Sequence, residues 1–184
     1  MENIVQAMAK FLKLEGHTTT YLKDDDPHYP CNIVGEVYKP YCYYLQTDHM
    51  AQIFKGDFKK VALECAIVES EFARTMCYES LGRTVGGYNR HNPSGAIATC
   101  TALTNPEAKF GCFRGSIRDT FWSVSDGDTA KNYCKLVPNS SDKDMCYSLI
   151  FSTAVEVILD KKERESFCTG VEADYLDSCH KLVN

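Results

Sequence analysis

No run of 18 consecutive apolar residues occurs in the chain, so no segment of it can cross a bilayer as a helix. Basic residues are also scarce. Only 20 Lys and Arg stand against 25 Asp and Glu, for a formal net charge of -5. A nucleic-acid binder needs a basic face to displace counterions, and an anionic membrane surface makes the same demand, so neither partner is expected. The first residues, MENIVQAMAKFLKLEG, lack the basic start and the small-residue cleavage site of a signal peptide. Also absent are G-x-S-x-G, H-E-x-x-H, a Gly-rich phosphate loop and the EF-hand spacing. The five histidines, His17, His28, His49, His91 and His180, are scattered, with no two at metal-ligand spacing. No two cysteines form the C-x-x-C that a structural zinc site or a dithiol redox centre favours. No metal and no cofactor is therefore expected, and nothing supplies a catalytic nucleophile with its base.

What the chain has in excess is cysteine, ten in 184 residues. They fall in pairs: Cys31 and Cys42, Cys65 and Cys77, Cys100 and Cys112, Cys134 and Cys146, Cys168 and Cys179. Within a pair the separation is 11 or 12 residues, and successive first cysteines advance by 34, 35, 34 and 34. An even, dense cysteine set points to an oxidising compartment. With no signal peptide visible, the expectation is a mature chain whose leader is absent, secreted or held in the periplasm or at the cell surface.

A period near 34 residues is the signature of stacked helical hairpins. Aligned on the cysteines, the units are 26–58, 59–93, 94–127, 128–161 and 162–184. Each is read as a short helix carrying the first cysteine and a longer helix carrying the second. Three residues after the first cysteine stand Val34, Val68, Leu103, Val137 and Val171. Directly after the second stand Tyr43, Tyr78, Phe113, Tyr147 and His180, and three or four residues beyond it Leu45, Leu81, Leu149 and Leu182, with Ser116 the exception. The offset of three after the first cysteine places cysteine and aliphatic residue on one helical face. Breakers fall between the paired cysteines: Gly35 and Pro40, Asn105-Pro106 with Asn105 as candidate N-cap, and Pro138-Asn139-Ser140-Ser141. Asn139 also heads a glycosylation sequon. The charged run from Asp160 to Glu165 reads as an exposed turn between units. Residues 1–15 read as a separate helix with Ile4, Met8, Phe11 and Leu12 on one stripe, capping the array, and 17–27 as a linker. The domain reading is thus 1–25 for helix and linker and 26–184 for one five-unit array.

In an antiparallel hairpin, residues equally far from the turn lie opposite each other. Cysteines 11 or 12 apart around a short turn therefore meet at the roughly 5.5 Å between Cα atoms that a disulfide needs. Pairing each second cysteine with the next unit's first would strand Cys31 and Cys179. Local pairing is expected, and each bond contributes about 3 kcal/mol by restricting the unfolded chain.

Asp57-Phe58-Lys59-Lys60, Ala62 before Cys65, and Cys77-Tyr78 followed by Leu81-Gly82 resemble the cysteine-rich, SEL-like members of the tetratricopeptide superfamily. Those are bacterial secreted proteins whose helical hairpins each carry a disulfide. The resemblance covers 26–184 as architecture and is best in units two and three. It implies a solenoid that binds protein or peptide ligands on its concave face. For some relatives it implies cell-wall or penicillin-like ligands.

Three groups of residues are candidates for a site. Tyr38, Tyr41, Tyr43 and Tyr44 surround Cys42, and tyrosine gives contact area at low entropy cost; packing between units is the reading preferred for Tyr43. The segment Gly86 to Ser94, with Tyr88, Arg90 and His91, is the most polar connection between units. Arg83 and Arg118 each stand six residues past a second cysteine, with Arg114 and the sole tryptophan, Trp122, one turn either side of Arg118. Stacked units would set these arginines side by side as an anion or carboxylate site. Asp48, at the same offset in unit one, leaves a structural salt-bridge row equally open. The expected fold is all-α, a right-handed α-solenoid of about five disulfide-stapled hairpins with an N-terminal capping helix. The expected function is non-enzymatic recognition of a protein, peptide or glycan partner outside the cytoplasm. Alternatives are a structural subunit that self-assembles end to end, or an enzyme acting on cell-wall or small-molecule substrates. Five local bonds predict an intact mass that rises by about ten hydrogens on reduction, and peptide mapping that recovers Cys42 linked to Cys65 would refute the pairing.

Overall fold

A computed structural model describes residues 22–123 and 128–183, with the side chains of 122, 123 and 183 outside the description. The expected N-terminal helix over 1–15, His17 and the Trp122 side chain lie outside the described residues. Among the described residues the chain is all-helical: α1 Lys39–Ile53, α2 Phe58–Ala66, α3 Glu71–Tyr88, α4 Pro93–Thr101, α5 Pro106–Ser123, α6 Asp128–Lys135, α7 Ser140–Val157, α8 Lys161–Phe167 and α9 Ala173–Val183. Short and long helices alternate.

The helix starts are written locally. Side chains of Asp57, Ser70, Asn92, Asn139 and Asp160 accept backbone N–H bonds at the first turns of α2, α3, α4, α7 and α8, and Asn105 does so for α5. Each satisfies a donor that the helix itself leaves unpaired. The short helices also end alike. The N–H three residues past the first cysteine donates to that cysteine's carbonyl at Val68, Leu103, Val137 and Val171, over 3.1 to 3.2 Å. This tight turn tucks Val68, Leu103 and Val137 into the core.

All five expected disulfides are present, with Cα–Cα distances of 5.5 to 5.8 Å, and the cysteines of the described residues include no free thiol. Each ties a short element to the long helix that follows it. The long helices pack in sequence, α1 on α3, α3 on α5, α5 on α7 and α7 on α9, and each short helix touches the long helices before and after it. Tyr43, Tyr78, Phe113 and Tyr147 are buried, as packing between units requires. His180 and Leu182, in α9, are exposed.

Three expectations are corrected. Unit one has no α-helix around Cys31: residues 27–33 form turns, since Pro27 and Pro30 cannot donate to a helical ladder. Side chains hold this segment instead. Gln46, buried on α1, donates to the carbonyls of Pro27 and Tyr29 at 3.0 and 2.9 Å. His28 links Tyr43 at 3.0 Å to Glu64 at 2.9 Å, and burial with the nearby charge of Asp26 pushes the Tyr43 phenol up to about 12. The charged run at 160–165 is not a turn but the start of α8, capped by Asp160, which accepts from Lys162 and Glu163. The polar connection at 86–94 is shorter than read, because Gly86, Gly87 and Tyr88 belong to α3 and Pro93 opens α4.

The most extensive helix contact joins α3 and α5. A Cβ added at Gly82 would strike the carbonyl of Cys112, and one at Gly115 the carbonyl of Glu79. The two backbones thus approach as only glycine permits. Ser116, the exception to the leucine pattern, is fully buried here and donates to the Gly82 carbonyl at 2.9 Å. Gly115→Ala should cost about 3 kcal/mol, the upper range for overpacking, lowering Tm by about 6–12 °C for a chain of this size. Gly87→Ala, where an added Cβ meets nothing within 4 Å, should leave Tm unchanged or raise it slightly; equal losses at both positions would refute the close-approach account.

Candidate functional site

The glycine contact decides what surrounds it. α3 and α5 touch at Gly82 and Gly115; Glu79 lies one turn before Gly82, and Arg114 and Arg118 flank Gly115. Glu79, only 4 % exposed, receives Arg114 Nε at 3.2 Å and Arg118 Nη1 at 2.9 Å. A carboxylate this buried stays favourable only when paired and hydrogen-bonded. Arg118 also donates through Nη2 to Glu156 of α7, so its guanidinium bridges three successive long helices. Arg83 has a different partner. Its guanidinium lies over the Tyr44 ring, 4.7 Å from the centroid. Asp48 accepts from Thr84 Oγ1 at 2.8 Å, in a hydroxyl chain in which Thr84 also meets Thr47 at 2.9 Å and Thr47 meets Ser80 at 2.5 Å.

The remaining sequence candidates lie toward the C-terminal end of α3. Tyr88 packs edge-on against Phe58 at 5.5 Å, and burial, followed by the charge of Asp48, raises its pKa. Arg90 Nη2 stands 3.9 Å from Asp119 Oδ1. Burial pushes the Asp119 carboxyl up, Arg90 and Arg83 pull it down, and Asp48 pushes it up again. His91 is exposed on the short connection to α4. Tyr38 and Tyr41 are exposed as well, while Tyr43 is buried.

Arg83, Arg114 and Arg118 therefore belong to one region of α3 and α5, but the structure gives Arg83 and Arg118 no common partner. Asn139 of the sequon is engaged as a cap, accepting from Asp142 N at 2.8 Å and donating to Asp142 Oδ2 at 2.7 Å.

Toward the N-terminal ends of α3 and α5 the helices enclose a groove of about 400 Å³, lined by Glu71, Thr75, Tyr78, Glu79, Pro106, Glu107, Phe110, Gly111 and Arg114. Its volume falls at the lower end of ligand cavities. At Gly111 the two helices are in contact, since a Cβ there would lie 2.5 Å from that of Tyr78. Phe110 is 42 % exposed on one wall, whereas Tyr78 is 2 % exposed. The Tyr78 hydroxyl is buried without a hydrogen-bond partner. Burial first, then the charge of Glu107, raises its pKa, against a smaller opposite pull from Arg74. Glu107 is paired with Arg74 Nε at 3.3 Å. Of the groove residues, sequence reading singled out Arg114 for a site and Tyr78 for packing. Glu71, Thr75, Glu79, Phe110 and Gly111 were missed as site residues. The available signal was spacing: Glu71, Thr75 and Glu79 recur every fourth residue and share one helical face. Among the described residues no group of three His, Cys, Asp or Glu side chains is placed to hold a metal ion.

The two arginines that the sequence pairs can be separated by mutation. Arg118→Ala should lower stability by about 1–2 kcal/mol, as loss of charged hydrogen bonds to a buried carboxylate does. Arg83→Ala should cost no more than about 1 kcal/mol for an aromatic contact at a partly exposed site. The double change should be additive within about 0.5 kcal/mol by denaturant melts; a larger coupling would mean that the two guanidiniums share a partner. Compared with family models, with curated proteins and with solved structures, the chain matches none of them.

Proposed function

We propose that this chain is a non-catalytic recognition module that works outside the cytoplasm and holds an extended segment of a partner polypeptide in the groove between α3 and α5. The single observation that carries the reading is that groove of about 400 Å³, open beside an exposed aromatic ring. In this reading the array is a right-handed solenoid of five stapled units, akin to the SEL-like repeats, and the alternation of short and long helices with one bond per pair supports it. Five disulfides favour an oxidising environment, and secretion follows from that as part of the proposal. The polar groups near the groove favour holding over chemistry. Glu79 is tied to Arg114 and Arg118, and Glu107 to Arg74, so their charges serve to brace the helices. A solenoid face of this kind accommodates a peptide without rearrangement of its backbone.

Selection from a randomised peptide display library on the oxidised protein tests this. Enriched peptides should lose most of their binding when the groove is filled by Thr75→Trp or stripped by Phe110→Ala, with the helical circular dichroism and Tm of both variants unchanged. Enriched peptides that bind both variants as well as the parent, or no enrichment at all, would overturn the reading.

A further inference from the structure

The groove's chemistry is specific enough to name what it takes. Its floor is the ring of Tyr78 with Gly111, and its open wall is Phe110. These surfaces suit an aliphatic stem. Its charges are unevenly matched. Glu79 has two guanidinium partners and Glu107 has Arg74, but Glu71, exposed at the mouth, has no cation within reach among the described residues. One more polar group lacks a partner, the buried hydroxyl of Tyr78. That oxygen presents less than 1 Å² of surface, so a ligand in the groove meets the Tyr78 ring and not its hydroxyl. An anionic ligand would face three carboxylates, with the sole lining guanidinium, Arg114, already held by Glu79. A wholly apolar ligand would leave the Glu71 carboxylate without a cation.

Resting on the recognition reading above, we propose that the groove seats a long basic side chain, lysine or arginine, of the partner polypeptide. The methylene stem lies along Phe110 and the Tyr78 ring, as such stems do on apolar surface while the charged head reaches a polar site. The head pairs with the exposed carboxylate of Glu71. The chain's net charge of -5 draws such a segment in from solution.

The test uses the oxidised full chain labelled with ¹⁵N and three capped peptides, each with a single lysine, arginine or glutamate between glycines. The lysine and arginine peptides should give saturable amide shifts over 71–79 and 106–114, with Kd about millimolar, as one side chain in a shallow cavity warrants, and the glutamate peptide none. Glu71→Lys should weaken lysine-peptide binding by about tenfold or more. Glu165→Lys on α8, which makes the same change in net charge away from the groove, should alter it less than about twofold. Equal weakening by both substitutions, or shifts spread over the whole surface, would reduce the effect to bulk charge and overturn the proposal. The display selection separates the two levels. Peptides that need the open groove but carry no basic residue would overturn the basic-side-chain proposal and leave recognition standing, whereas absence of any groove-dependent peptide would overturn both.

Discussion

Two glycines, Gly82 on α3 and Gly115 on α5, let the helix backbones come into direct contact, and much of the central structure follows from that approach. With no side chain between them, the Ser116 hydroxyl reaches the Gly82 carbonyl, and Glu79 is sealed beneath Arg114 and Arg118. Burial of the carboxylate is affordable because two charge-assisted bonds replace its water. The same closeness recurs at Gly111, where an added Cβ would fall 2.5 Å from that of Tyr78, and the groove lies beside that contact.

Around that centre the chain alternates long helices with short ones, each of which would be marginal alone. Helices of 7 to 9 residues such as α2, α4, α6 and α8 are too short to persist without external support. Each is tied to a long helix by a disulfide near its C-terminal end, is closed there by the same tight turn, and in most cases is opened by a capping side chain. Where proline prevents the short helix, around Cys31, the disulfide remains and buried side chains supply the other restraints: Gln46 holds two carbonyls and His28 bridges Tyr43 and Glu64. A covalent restraint does not require the element it restrains to be helical.

Electrostatics divide the same face into parts with different duties. Arg118 braces α3, α5 and α7 through Glu79 and Glu156. Arg83 is placed by an aromatic ring and not by a carboxylate. These arginines occupy equivalent sequence positions, yet their surroundings differ because the neighbouring units present Tyr44 to one and Glu79 to the other. Equivalence along the chain makes side chains point alike, and the neighbours decide what they meet.

The sequence by itself determined the disulfide pairing, the alternation of short and long helices, the helix cap at Asn105 and the identity of the buried aromatics Tyr43, Tyr78, Phe113 and Tyr147. All of these depend on residues within about a dozen positions of one another or on a repeating offset, and such periodicities are written locally. Local reading also erred for local reasons: a repeat frame suggested a helix at Cys31 that two prolines forbid, and a dense charge run suggested a turn where Asp160 starts a helix. The tertiary structure alone decided the groove, the partner of each arginine and the buried state of Glu79. Arg118 and Glu79 are 39 residues apart, and their meeting depends on how closely α3 approaches α5. That distance is set by the absence of two side chains at the crossing, and the hydrophobic period of either helix alone carries no record of it.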